Sequence, residues 1–83
     1  MNALAISGRN RLMMRLPHLR LQLMKFDSLR AIELFMDYEL TISHMERLLN
    51  GEIKADASML AEDARLALEL EMEAERLGKT IVP

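Results

Sequence analysis

Apolar positions in the middle of the chain follow a four-three rhythm: Ala31, Phe35, Tyr38, Ile42, Met45 and Leu49. That spacing places all six on one face of an α-helix. A second row, Leu29, Ile32, Met36 and Leu40, lies on the adjacent flank, so the apolar stripe is wide. Arg30, Glu33 and Asp37 hold the narrow polar side. No Gly or Pro falls within 27–50, so the pattern predicts one helix over about 28–50. At ~1.5 Å per residue it is roughly 35 Å long. Asp27 or Ser28 can cap its start, and Gly51 after Asn50 ends it.

A second long helix is predicted over about 57–77. Met59, Leu66, Leu70, Ala74 and Leu77 form one stripe, widened by Leu60 and Ala67. Asp56 or Ser58 can cap it, with Gly78 as the expected stop. Leu68 and Met72 lie on a different side, with Ala61. They are a candidate partner surface, or else they meet an N-terminal helix of the same chain. In the tail, Ile81 and Val82 are expected to fold back onto the helix pair.

The first part is harder to place. Leu12, Leu16, Leu19, Leu23 and Phe26 keep helical spacing, while Leu19, Leu21 and Leu23 also alternate as in a strand. Pro17 suits the first turn of a helix, so a helix over about 17–26 is expected. Gly8 and Pro17 punctuate what precedes it. Residues 1–16 are read either as a short helix of their own or as a mobile basic arm.

Composition narrows the class. Eighty-three residues, 51% apolar but only 4% aromatic, with eight Met and few Gly or Pro, favour a helical domain. The chain is read as one domain, 1–83. A core this small is marginal and there is no Cys to staple it, so a homodimer or another helical protein is expected to complete a bundle. No stretch approaches the ~20 apolar residues of a membrane span, and the first residues do not have a signal-peptide pattern. The expected location is the cytoplasm.

Charge is divided along the chain. Residues 1–30 carry six basic and one acidic side chain; residues 31–83 carry five basic and twelve acidic. Such a basic segment can touch nucleic acid, or it can pair with the acidic half of its own chain or a sister chain. The series Glu69, Glu71, Glu73, Glu75 is spread around a helix and not aligned on it. The simple expectation is a solvated face relieved by Arg65 and Arg76; the alternative is a strip that docks a basic partner.

Motifs for catalysis are missing. His18 and His44 lack the Glu three residues earlier that a di-iron bundle uses; Arg15 and Thr41 stand there. Ser43 and His44 are neighbours, which on a helix point about 100° apart and pair poorly. There is no G-x-S-x-G elbow and no Gly-rich phosphate loop. The chain is therefore expected not to be an enzyme, and no cofactor, metal or small-molecule substrate is expected.

Two short stretches carry resemblances. "TISHMER" (41–47) resembles the "TIS-x-x-E" segment of helix-turn-helix repressors. That resemblance implies a helix break just before it, whereas the apolar seam runs through without one. "RLMMRLP" (11–17) resembles the opening of ribbon–helix–helix repressors. That implies a strand with Arg11, Met13 and Arg15 facing the major groove and Leu12, Met14 and Leu16 facing a dimer core. The family's longer first helix and Gly-containing turn are missing, since only about ten residues separate Pro17 from Asp27.

The expectation is an all-α protein: an antiparallel long-helix hairpin with one or two short N-terminal helices, completed as a bundle by dimerisation or a partner. Its expected function is that of a small non-enzymatic regulator or adaptor acting by helix-mediated protein binding. The expected interface residues are Phe35, Tyr38, Ile42, Met45, Leu49, Leu68 and Met72. The alternative is a dimeric DNA-binding regulator using Arg9, Arg11 and Arg15. A third option is a membrane-surface helix over 9–26, where Arg is mixed with Leu and Met.

Overall fold

In the computed structural model, which describes residues 1–54 and 56–80, the chain is all-α. Four α-helices follow in order: α1 (Ala3–Arg15), α2 (Arg20–Lys25), α3 (Leu29–Leu49) and α4 (Ala57–Thr80), with a 3-10 turn at Pro17–Leu19 leading into α2. No strand occurs among the described residues. Residues 11–15, the strand of the ribbon–helix–helix resemblance, are the last turns of α1. The basic arm is thus a packed helix, capped by Asn2, whose side chain accepts from the Ala5 N–H.

α3 runs unbroken through residues 39–42, so the turn that a helix-turn-helix requires is absent. Its caps are local chemistry. The Ser28 hydroxyl accepts from the Ala31 N–H, and Gly51 takes φ +75°, a left-handed conformation that costs a side-chain residue energy. Asp56 accepts from the Met59 N–H at 2.9 Å at the start of α4.

Two glycines do not act as breaks. Gly8 lies inside α1, buried, where the helix meets the backbone of α3. A Cβ there would overlap the Phe35 carbonyl, with the carbonyl carbon 2.6 Å away. Gly78 lies inside α4, which continues past it to Thr80. A Cβ at Gly78 would come within 2.9 Å of a Leu19 methyl carbon. Both residues are small because another element comes close. The tail contact expected of Ile81 and Val82 lies outside the described residues.

The core gathers Ala5 and Leu12 of α1, Leu19, Leu23 and Phe26 of the connecting segment, Ala31, Leu34, Phe35 and Tyr38 of α3, and Ala67, Leu70 and Ala74 of α4. α1 and α4 both pack against α3. Polar contacts between α3 and α4 run in opposite order along the two helices: His44 with Asp63, Tyr38 with Glu71, Arg30 with Glu73.

Burial on α3 departs from the expected stripe at its edges. Leu29 and Leu40 of the second row are exposed, and Leu49 is 67% exposed while its neighbour Leu48 is buried. The residues that replace them, Leu34, Thr41 and Leu48, recur every seven positions. α3 is flanked on two sides, so its buried surface spreads onto the α4 side as well as the α1 side. Leu34 and Leu70 line one depression there. Leu66 of α4 is also largely exposed, with Ala67 buried beside it.

Candidate functional site

α1 and α4 approach α3 from different sides and leave a groove between them. Tyr38, Ile42 and Met45 of α3 line it together with Arg11, Met14 and Arg15 of α1 and Ala64, Ala67, Leu68 and Glu71 of α4. It consists of two confluent depressions of about 310 and 420 Å³ that share Arg15, Tyr38 and Ile42. Its lining is mainly apolar and open to solvent. Met14, 80% exposed, and Leu68, 56% exposed, stand at its two rims. An open apolar trough between helices suits side chains from another helix better than an enclosed small molecule.

The residues named from sequence divide into three groups. Ile42 and Met45 are half-buried on the groove floor. Phe35 and Tyr38 are buried inside the chain, at 0% and 3% exposure, because α1 covers this part of α3; their apolar surface is spent in the core. Leu49, Leu68 and Met72 are solvent-facing. Leu68 and Met72 thus keep about half of their surface open on α4.

The arginines are tied inward. Arg11 Nε donates to both oxygens of Glu39, at 3.1 and 3.0 Å, while its terminal nitrogens donate to Glu46. Arg15 Nε donates to Glu71 at 3.3 Å. Arg9, two positions from Arg11 and so on another side of α1, is half-buried, and its Nε has no hydrogen-bond partner. The structure thus puts Arg11 and Arg15 on one face and leaves Arg9 off it.

Glu39, missed in the sequence, is the polar centre of this region. It is buried, and the hydroxyls of Ser7 and Ser43 donate to it along with Arg11. Burial pushes its carboxyl pKa up. The bonds from Ser43, Ser7 and Arg11, and the Arg11 charge, outweigh that and hold it below the usual carboxylate range. The signal was available: a carboxylate right after Tyr38, at the edge of the seam and four residues before a Ser. Tyr38 donates to Glu71 at 2.8 Å. Burial first, then that bond, pushes its phenol well above the ordinary value.

The Glu series on α4 is also not a solvated face. Glu71 bonds Arg15 and Tyr38, Glu73 bonds Arg30 at 2.6 Å, and Glu75 contacts His18 at 2.5 Å. Only Glu69 has the expected setting, exposed and 4.0 Å from Arg65. The basic first part of the chain is what the acidic helix binds. Among the described residues, no group of three or more His, Cys, Asp or Glu is placed to hold a metal ion. No helix among them is long and apolar enough to cross a membrane.

No protein-family model matches the chain, and neither the curated proteins nor the solved structures give a match.

Proposed function

We propose that the protein is a small non-enzymatic regulator or adaptor that binds protein through its helices. The observation that carries this reading is the open apolar groove between α1 and α4, with Ile42 and Met45 on its floor and Met14 and Leu68 at its rims. In this reading the long helices α3 and α4 act as an antiparallel hairpin that another helix completes into a bundle. Phe35 and Tyr38 hold the floor in place from beneath, and Ile42, Met45, Leu68 and Met72 meet the partner.

The inward pairing of Arg11 and Arg15 supports this reading over the nucleic-acid one. A phosphate contact by Arg11 has to compete with Glu39 and Glu46, which engage all three of its nitrogens, and one by Arg15 meets the nearby Glu71 carboxylate. Binding to duplex DNA that falls steeply with salt, and that is lost on changing Arg11 and Arg15 to Ala, would restore the alternative.

The test is site-specific photocross-linking with a reactive residue at Met14 or Met45 in the groove, and at exposed Glu33 on the polar side as control. The expected result is one protein adduct from both groove positions, none from Glu33, and loss of the adduct with Ile42→Glu. Mass analysis distinguishes a second copy from a different protein. Absence of any groove adduct removes the reading.

A further inference from the structure

We infer that the outer face of α4 is a self-association surface, on which a second copy of this chain lies antiparallel. This rests on the helix-mediated binding proposed above and names the partner for one of its surfaces.

The face is carried by Arg65, Leu68, Met72 and Glu75. Their spacing of three, four and three places them on one side of α4. Leu68 and Met72 are 56% and 51% exposed. An isolated exposed Leu means little. Here two large apolar side chains are adjacent, and Leu68 continues into the groove wall at Ala64.

Charge complementarity selects the occupant. The spacing of the quartet reads the same in both directions, while the charges at its ends are opposite. A two-fold axis near residue 70 sets Leu68 against the partner's Met72, and Arg65 against the partner's Glu75. The same contacts then occur twice, as an isologous interface requires. A parallel pairing would set Arg65 on Arg65 and Glu75 on Glu75. The Arg65 side chain is 77% exposed, and its contact with Glu69 is long, at 4.0 Å. Glu75 contacts His18 through Oε1 and is one-third exposed. Ala61 and Ala64 flank the patch, are exposed and add little bulk, so a second helix can approach closely. α4 spans Ala57–Thr80, so an axis near residue 70 overlaps the two helices for roughly 30 Å at ~1.5 Å per residue.

The absence of Cys makes the register directly testable. Full-length chains carrying Leu68→Cys and Met72→Cys are mixed and oxidised. The mixed disulfide is expected to form faster than either like-with-like product. Sedimentation of the unmodified chain should show a dimer. Arg65→Glu alone and Glu75→Arg alone should each weaken it at least about tenfold, and the two together should restore most of that loss. Circular dichroism checks that each variant keeps its helices; Leu68→Gln, at an exposed position, serves as a second disrupting variant. A chain monomeric up to millimolar concentration overturns the proposal, and so does a dimer whose like-with-like disulfides form first. Groove adducts to a different protein would survive either result, so failure here is distinguishable from failure of the functional reading.

Discussion

α1 and α4 both pack on α3, but by different means. The α1 contact is deep. Gly8 lets the helix touch the Phe35 backbone, Ala5, Leu12 and Phe35 lie within 0% exposure, and a buried carboxylate, Glu39, is satisfied by Ser7, Arg11 and Ser43. The α4 contact has a thin apolar stripe of Ala67, Leu70 and Ala74. Around it lies a rim of charged and polar pairs to α3, His44–Asp63, Tyr38–Glu71 and Arg30–Glu73, while Arg15–Glu71 and His18–Glu75 tie α4 to α1 and the 3-10 turn. Exposed pairs contribute only ~0–1 kcal/mol each. The difference teaches that polar pairs at a rim do not replace apolar contact, because burial and close packing carry more free energy than a screened rim.

The most severe way to break the contrast is to empty the deep side. Phe35→Ala should destabilise the protein by about 3–5 kcal/mol, and Leu70→Ala on the α4 side by nearer ~2 kcal/mol. Urea unfolding of both variants measures the gap, and equal losses would show that the two contacts are equally deep. Next come the glycines. Gly8→Ala forces α1 off the Phe35 carbonyl and should cost about 2–3 kcal/mol despite its better helix propensity. Gly78→Ala crowds only a movable Leu19 methyl and should stay within ~1 kcal/mol of the parent, read from the same unfolding curves.

A smaller effect is expected at the buried carboxylate. Arg11→Met leaves Glu39 buried with only its serine partners and should cost about 2 kcal/mol at pH 7. The sign with pH follows from the depressed Glu39 pKa. Its stabilising contribution is fully present above the unfolded value of ~4.3 and is lost as pH falls through the lower folded value. The penalty of Arg11→Met should therefore shrink under acid, which unfolding at pH 7 and at pH 3 compares. Tyr38→Phe removes the bond to Glu71 and should cost about 1 kcal/mol. The smallest change belongs to the rim: Arg30→Ala should cost no more than ~0.5 kcal/mol and less in high salt. Hydrogen exchange sharpens the comparison without mutation, since α4 amides should open at lower free energy than those of α3.

What was legible in the sequence was local. Ser28, Gly51 and Asp56 mark ends correctly because a cap bonds within three residues of itself. Ile42 and Met45 share one face of α3 because the helical period puts them there. Leu48 and Thr41 were missed because period does not show that α3 is covered on two flanks. Gly8 and Gly78 were misread for a related reason: a glycine that ends a helix and a glycine that admits a neighbour have the same letter, and only the neighbour distinguishes them. The Glu series was misread because its partners, Arg15, His18 and Arg30, are 43 to 57 positions away.

The sequence by itself determined an all-α chain with long central helices, since propensity, periodicity and caps act within a few residues. The tertiary structure alone decided which face of each helix is covered, which charges are neutralised, and where an apolar groove stays open. Those outcomes depend on residues distant in sequence meeting at van der Waals range, and helical spacing carries no information about which distant residue that is.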